Sequence, residues 1–139
     1  MASNTFKYKN VGVDPITGPT FRPVIPIEIT KKRLNFPTEA LLDTGADFSI
    51  FSGEIGRALG IKIDEGVSHE IIGVGGAVTK GYIHKIGITV PGFTTYTSWG
   101  FFSNQLNDMH PSILGQRGFF ENFKVSFEYK KKLIVVREK

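Results

Sequence analysis

The chain has 139 residues, of which 40% are hydrophobic, and it contains no cysteine. This length and composition favour one domain that buries its own core, and they exclude disulfides, thiolate metal sites and a cysteine nucleophile. The formal net charge of +4 is concentrated in two clusters, residues 31–33 and 130–132, which are typical of solvated turns, so we expect no nucleic-acid partner.

The sequence has no evident targeting or membrane segment. The opening MASNTFKYKN lacks the apolar region of a signal peptide, and no apolar run approaches the roughly 18 to 20 residues of a membrane-spanning helix. We therefore expect an intracellular, cytoplasmic protein without a membrane partner.

Short stretches rich in Val, Ile, Thr and Phe, separated by Gly and Pro, predict an all-β domain with one or two short helices. Residues 21–30 predict a strand whose prolines keep it near a sheet edge. Residues 34–42 predict a second strand, paired with the first across the basic turn, and residues 48–51 predict a short third strand. A helix capped by Ser52 then ends at Gly60.

The second half of the chain continues the all-β pattern. Residues 67–73 and 77–90 predict a long hairpin with a glycine-rich tip. Residues 93–102 predict a further strand with Trp99 in the core, and the polar residues 104–112 predict a loop. The apolar pair before Gly115 is followed by a predicted short helix over residues 116–122. Two strands around the lysine turn end the chain.

The segment ALLDTGADFSIF, residues 40–51, places Asp43 at the end of a predicted buried strand. An ionised carboxylate in this position is unfavourable unless it is solvated, paired or used in chemistry. Asp before Gly commonly caps a turn through its side chain. Taken alone, the Asp-Thr-Gly tripeptide therefore leaves a structural and a catalytic role open.

The whole segment resembles the active-site segment of retropepsins, the single-domain, retroviral-type aspartic proteases. Residues 71–82, IIGVGGAVTKGY, are similar to the flap of that family, and residues 112–115, SILG, to its apolar-apolar-Gly motif before a C-terminal helix. The resemblance implies an acid-protease barrel with one lobe per chain over residues 21–139, a flap at about residues 69–84, and an N-terminal extension over residues 1–20.

The family also implies the chemistry of Asp43. Retropepsins hydrolyse peptide bonds with two aspartates that share a proton, one activating water as the base and the other acting as the acid. This chain has one Asp-Thr-Gly, so the resemblance implies a homodimer with an Asp43 from each copy at the two-fold axis. Thr44 would hydrogen-bond across that axis, and Gly45 would let backbone and peptide approach closely.

The resemblance assigns further residues to the substrate cleft. Ala46 would line it, and Asp47 would contact the substrate backbone and the arginine that the family places directly after its C-terminal glycine. Here the order is Gly115, Gln116, Arg117, which argues against an Asp47–Arg117 ion pair because one residue turns a helical side chain by about 100°. Gln116 could instead hydrogen-bond Asp47.

The remaining implied residues support the site or cover it. Ile113, Leu114, Gly115, Gln116 and Arg117 would be the structural support beside the catalytic loop. In the flap, Gly73, Gly75 and Gly76 would allow opening and closing, and Val74 would cover the bound peptide. Without the other two motifs, the same glycines would be explained by an ordinary hairpin turn.

No cofactor or metal is expected, because the three histidines, His69, His84 and His110, are scattered. No serine has the sequence context of a nucleophile. The predicted function is an aspartic endopeptidase that acts as a homodimer on peptide or protein substrates. The alternative is a catalytically silent dimer of the same fold that binds peptides or partner proteins, and a nucleic-acid-binding β-domain ranks last.

Overall fold

The computed structural model describes residues 2–139, which form an all-β fold with one short α-helix, as the sequence predicts. The strands are β1 Ser3–Lys7, β2 Lys9–Asp14, β3 Gly18–Arg22, β4 Val24–Lys31, β5 Leu34–Leu42, β6 Ser49–Ser52, β7 Val67–Ile72, β8 Val78–Thr89, β9 Tyr96–Ser103, β10 Ser112–Leu114, β11 Phe123–Glu128 and β12 Leu133–Glu138. Helix α1 spans Gly53–Ala58, and short 3-10 turns span Ile63–Glu65 and Val74–Gly76.

The main sheet has seven strands in the order β4-β5-β10-β6-β9-β8-β7, and β4 also pairs with β8. This additional pairing closes the sheet on itself, so one face of its strands points inward. The two-residue period of a strand places Ile25, Ile27 and Ile29 of β4 on that inner face, where all three are buried. Phe51 and Phe102 pack there with them.

The predicted β4–β5 hairpin is confirmed, with Lys31 opposite Leu34 across the basic turn. The strand predicted over residues 21–30 is instead divided at Pro23, which has no N–H to donate to a sheet. The part before Pro23 is β3, and it pairs with β2 rather than with β5.

The chain ends form a second sheet, in the order β1-β12-β11. The predicted C-terminal hairpin is its β11–β12 pair, and Lys132 in the turn has a positive φ of 57°. Strands β2 and β3 form a separate two-stranded sheet. The predicted helix is also confirmed, since the Ser52 Oγ accepts a hydrogen bond from the Ile55 N–H at 3.3 Å.

The prediction that Trp99 lies in the core is wrong. Trp99 is 46% exposed, and its ring lies 5.7 Å from the Lys85 Nζ, the residue opposite it on β8. Its neighbours Ser98 and Gly100 are buried, so the alternation of β9 turns the indole to the outer face of the sheet. There the lysine covers part of the ring through a cation–π contact.

The helix predicted over residues 116–122 is also wrong, because this segment forms turns and isolated bridges. Gly115 bridges to Gly118, whose φ of 101° lies outside the helical region. The Phe120 N–H donates to the Gly115 carbonyl, five residues back rather than the four of an α-helix. Arg117 also forms a backbone bridge with Phe48, so pairing with a distant segment overrides the local helix preference.

Within residues 2–139, no helix combines the length and the apolar character needed to cross a bilayer.

Candidate active site

Strand β5 places Asp43 in a half-buried position just beyond its carboxyl end. β5 lies between β4, which is antiparallel to it, and β10, which is parallel. The N–H of buried Leu42 donates to the Pro23 carbonyl at 2.9 Å. The Asp43 N–H donates to the Leu114 carbonyl at 3.0 Å. Neighbouring segments on both sides thus fix the backbone of Asp43 before the chain turns.

The turn after this strand forms around the Asp43 carboxylate. The Gly45 N–H donates to Asp43 Oδ1 at 2.9 Å, and the Ala46 N–H donates to the Asp43 carbonyl at 3.2 Å. A Cβ on Gly45 would lie 3.2 Å from the same Oδ1, so glycine permits this close approach. The turn-capping contact is therefore made, while the adjoining Thr44 and Gly45 remain exposed.

The segment after β10 supports this loop through three hydrogen bonds. The backbone N–H of Gln116 donates to the Ala46 carbonyl at 2.8 Å, and that of Arg117 donates to the Asp47 carbonyl at 2.9 Å. The Gln116 side chain donates from Nε2 to the Thr44 carbonyl at 2.9 Å. The two loops are therefore joined along their length.

Gly115 lies where these loops approach most closely. A Cβ on Gly115 would be 2.4 Å from the Phe48 carbonyl oxygen and 2.5 Å from that of Ala46. Leu114 before it is buried, and Ile113 pairs with β5 on one side and with β6 on the other. The apolar-apolar-Gly segment therefore anchors in the core and contacts the loop of Asp43.

Arg117 contacts an aromatic ring rather than Asp47. Its guanidinium carbon lies 5.8 Å from the centroid of the Phe48 ring, and a backbone bridge pairs these two residues. In the part of the chain that the structure describes, Asp47 forms no ion pair. The Gln116 amide contacts the Thr44 carbonyl, so it does not make the suggested hydrogen bond to Asp47.

The hairpin of β7 and β8 occupies the position that the sequence assigns to a flap. At its tip, the Gly73 N–H donates to the Ala77 carbonyl at 2.8 Å. Gly75 and Gly76 have φ values of 84° and 83°, which favour glycine. Val74 is fully exposed at this tip.

A groove of about 260 Å³ lies between the loop of Asp43 and the β7–β8 hairpin. Residues that follow Asp43 and residues of β7 line this groove: Gly45, Ala46, Asp47, Phe48, Ile50, His69, Glu70, Ile71 and Ile72. The rings of Phe48 and His69 meet edge to face, with centroids 5.0 Å apart. The structure thus brings Ala46 and Asp47 together with strand β7, while residues 73–76 at the tip of the hairpin do not line this groove.

A larger groove of about 340 Å³ contains none of the Asp-Thr-Gly residues, although Ile50 and Ile113 contribute to its wall. At its edge, the Ser52 hydroxyl donates to the Asp108 carboxylate. A hydrogen bond that protonated Glu54 donates to Asp108, together with the negative charge of Asp108, raises the pKa of exposed Glu54 above its ordinary value. Groove size alone therefore does not locate the predicted site.

The histidines lie in different surroundings. The His84 Nε2 is 2.8 Å from the Ile63 carbonyl oxygen, His69 lines the smaller groove, and His110 lines the larger one. Among residues 2–139, no group of three or more His, Cys, Asp or Glu side chains is placed to hold a metal ion.

Residues 25–117 match the family model described as aspartyl protease, which covers about two thirds of the chain. The chain belongs to the aspartyl protease family.

Solved structures show which fold this aspartyl protease has. It is similar to the crystal structure of a retropepsin-like aspartic protease from Rickettsia conorii, with 16% identity over 97% of this chain and 98% of that chain, at a TM-score of 0.64. EIAV protease complexed with the inhibitor HBY-793 is similar at 22% identity over 76% of this chain and 88% of that chain, at a TM-score of 0.49. No curated protein matches the chain. The match to the Rickettsia conorii structure shows that the fold is retropepsin-like, and the family match supports a protease function.

Sequence reasoning missed three residues of the candidate site. Phe48 and His69 form the aromatic side of the groove, and no local pattern predicts their contact. Ser49 is buried, donates to the Arg117 carbonyl at 2.9 Å, and accepts from the Gly115 N–H at 3.3 Å. A serine at an inward position of a predicted strand is the one signal that could have identified it.

Proposed function

We propose that this protein is an aspartic endopeptidase whose active site forms between two copies of the chain, each contributing Asp43. The observation that supports this most directly is the position of that carboxylate. It is half-buried at the end of a core strand, and the exposed residues Thr44 and Gly45 follow it. A second copy can therefore approach this loop without any rearrangement of the core.

Two copies are needed because each chain supplies one Asp-Thr-Gly. When two carboxylates lie about 3 Å apart, they cannot both ionise, so their pKa values separate and one proton is shared. The ionised Asp43 then removes a proton from water, while the protonated Asp43 of the other copy donates to the carbonyl oxygen of the peptide bond. Aspartic proteases in general work by this division of roles.

Within each copy, the chain's own contacts would hold Asp43 in position for this chemistry. The Gly45 N–H, at 2.9 Å from Oδ1, orients the carboxylate. The Gln116 side chain holds the Thr44 carbonyl, which restricts the loop next to the two-fold axis. Thr44 itself would contact its symmetry mate there. Fixed orientation of this kind lowers the reorganisation that the transition state requires.

The substrate in this proposal is an extended peptide bound between the loop and the flap. Backbone hydrogen bonds would align it as an added strand, and alternate side chains would enter grooves. The groove lined by Ala46, Asp47, Phe48 and His69 is suited to one such side chain. Closure of Gly73, Val74, Gly75 and Gly76 over the peptide would exclude water. We assign these roles to residues 21–139 and treat residues 1–20 as an extension.

The test is cleavage of an unbiased peptide library at several pH values between about 4 and 7, where a shared-proton pair is expected to be active. Wild-type protein is compared with Asp43→Asn, and sedimentation reports the oligomeric state of both. We expect the wild type to cut and Asp43→Asn to lose activity by at least about a thousandfold while it keeps its fold and dimer, because its amide cannot act as the base.

Two outcomes would count against this function. Equal cleavage by wild type and Asp43→Asn would mean that the activity arises elsewhere. A wild-type dimer that cuts no peptide at any pH would favour the alternative, a silent dimer that binds peptides or partner proteins.

A further inference from the structure

Residues 9–22 form the two-stranded hairpin of β2 and β3, which we call the arm. Within residues 2–139, these strands pair with each other and with no other strand, and every residue of β2 is exposed. Val13 is 77% exposed, and Ile16 at the turn is 93% exposed. An isolated hairpin is marginally stable in water, and burial of its exposed apolar side chains against another protein would stabilise it.

The turn of the arm is held in one conformation. The Asp14 Oδ1 accepts hydrogen bonds from the backbone N–H groups of Thr17 at 3.0 Å and Ile16 at 2.8 Å. Both hydrogen bonds lower the pKa of Asp14, and the bond from Thr17 has the larger effect. Pro15 fixes a further backbone angle. The Ile16 side chain is thus presented in a defined place, which reduces the entropy lost when a partner binds.

The base of the arm adjoins the strand that leads to Asp43. Pro23, the residue after the arm, accepts the hydrogen bond of Leu42, the residue before Asp43. At the other strand of the arm, Lys9 forms an ion pair with Glu39 of β5. The base of the arm therefore lies beside the strand that carries Asp43.

The first and last strands, β1 and β12, pair with each other within one copy. β1 pairs with β12 over its full length, and the Glu138 N–H donates to the Ala2 carbonyl at 3.3 Å. β12 also pairs with β11, so both edges of the C-terminal strand are occupied. Within residues 2–139, a second copy consequently cannot insert beside β12 without displacing a native strand, and contacts at the outer edges of β1 and β11 or elsewhere on the chain are the ones that leave this sheet intact.

We propose that the arm is the surface that holds two copies of this chain together, with Val13 and Ile16 of each copy buried against the other. A second copy is the partner because the half-site beside the arm is completed by the same chain. A symmetric contact then serves both copies. The inference rests on the proposed function, since it is that function which requires a second Asp43.

The first experiment measures the dimer dissociation constant of the full chain by sedimentation equilibrium. The variants are Ile16→Ser and the double variant Val13→Ser/Ile16→Ser. The matched control is Met109→Ser, because Met109 is 87% exposed and lies outside the arm and the site. Circular dichroism and thermal unfolding establish that each variant is folded.

We expect Ile16→Ser to raise the dissociation constant at least about tenfold, since burying an isoleucine contributes more than the free energy of a tenfold change. The double variant should raise it further, and Met109→Ser should leave it unchanged. At protein concentrations high enough to restore the dimer, peptide cleavage by the arm variants should return to the wild-type rate.

A second measurement uses the absence of cysteine in the chain. A spin label attached to Ile16→Cys should lose mobility over the concentration range in which the dimer forms. A label on Met109→Cys should keep its mobility over the same range.

Three results would overturn the role of the arm. The wild-type protein could stay monomeric at every concentration, or the arm variants could dimerise like the wild type. The third is a change in KM without a change in dimerisation, which would mean that the arm binds the peptide substrate. Sedimentation does not depend on catalysis. A dimer weakened by arm substitutions that nevertheless cuts no peptide would leave this inference standing and remove the proposed function.

Discussion

Gly115 shows at the scale of one residue why the loops of the site have the sequence they do. It is buried where the carbonyl oxygens of Phe48 and Ala46 would lie 2.4 and 2.5 Å from an added Cβ. Real Cβ atoms do not approach oxygen so closely, and the Ala46 oxygen already accepts the hydrogen bond of the Gln116 N–H. A side chain here must therefore separate the two loops or distort them.

We expect Gly115→Ala to lower the free energy of unfolding by about 2 to 3 kcal/mol, the upper range for overpacking a well-packed interior. Urea unfolding followed by circular dichroism measures the change. Gly73→Ala is the control, because its Cβ would meet no atom closer than the Ala77 carbonyl oxygen at 3.8 Å. That control should change the stability by less than about 1 kcal/mol. If both variants were equally stable, the close contact at Gly115 would not be rigid.

Phe48 is the residue through which Arg117 and the flap strand β7 meet. The guanidinium of Arg117 and the ring of His69 both contact the Phe48 ring, at centroid distances of 5.8 and 5.0 Å. The His69 ring in turn lies 6.4 Å from that of buried Phe101. An arginine one position later than the family order thus supports the loop through aromatic contacts instead of through an ion pair with Asp47.

At the scale of elements, the start of helix α1 is tied to the loop that precedes β10. Ser52 caps the helix and also donates to Asp108 of that loop. Arg57 in the last turn donates to Asn104 of the same loop. The raised pKa of Glu54, caused first by its hydrogen bond with Asp108 and then by the charge of that residue, belongs to the same contact.

This contact makes the stability of the protein depend on pH in one direction. Because the pKa of Glu54 is higher in the folded than in the unfolded chain, the folded chain binds the proton more tightly. The contribution is fully present below the ordinary pKa of glutamic acid and is lost as the pH rises through the raised value. Above that range, two carboxylates face each other between the helix and the loop.

We expect Glu54→Gln to be more stable than the wild type near neutral pH, with the difference shrinking toward about pH 4, where Glu54 is protonated. The amide can donate to Asp108 at every pH. Urea unfolding at several pH values measures the difference. Glu65→Gln, a change at an exposed glutamate away from this contact, should show no such trend. A difference for Glu54→Gln that did not vary with pH would contradict the proton-linked contact.

At the scale of the whole molecule, the chain is a self-contained fold that holds half of the proposed site. Within one copy, the strands of the closed sheet pair with one another, and so do β1, β12 and β11. Half-buried Asp43 and exposed Thr44, by contrast, lie where the proposed catalytic chemistry calls for a second carboxylate. Activity should therefore depend on association and not on folding alone.

Mixing wild-type protein with Asp43→Asn tests this dependence. If subunits exchange freely, a ninefold excess of Asp43→Asn should reduce the cleavage rate per wild-type chain to about one tenth, because nearly every wild-type chain then has an inactive partner. Cleavage of a peptide found in the library measures the rate. An equal mass of an unrelated protein should have no effect. A rate that is insensitive to Asp43→Asn would mean that each chain acts alone.

The sequence by itself determined the all-β class, most of the strands, the capped helix and the family. These depend on local signals: the two-residue period of β4, the glycines of the β7–β8 turn, and a motif of adjacent residues at Asp43. The sequence-based prediction was wrong for the burial of Trp99 and for the helix after Gly115, where tertiary contacts overrode the local preference. In both cases the outcome depended on strands that are distant in the chain.

The tertiary structure alone decided how the site is supported. Gln116 meets Thr44, and Phe48 meets His69, only because the closed sheet brings β5, β10 and the flap hairpin together. It also decided that β1 pairs with β12 and that residues 9–22 form a separate hairpin, the arm. Such contacts join residues far apart in sequence, and their geometry is fixed by packing and strand register, which no local pattern specifies.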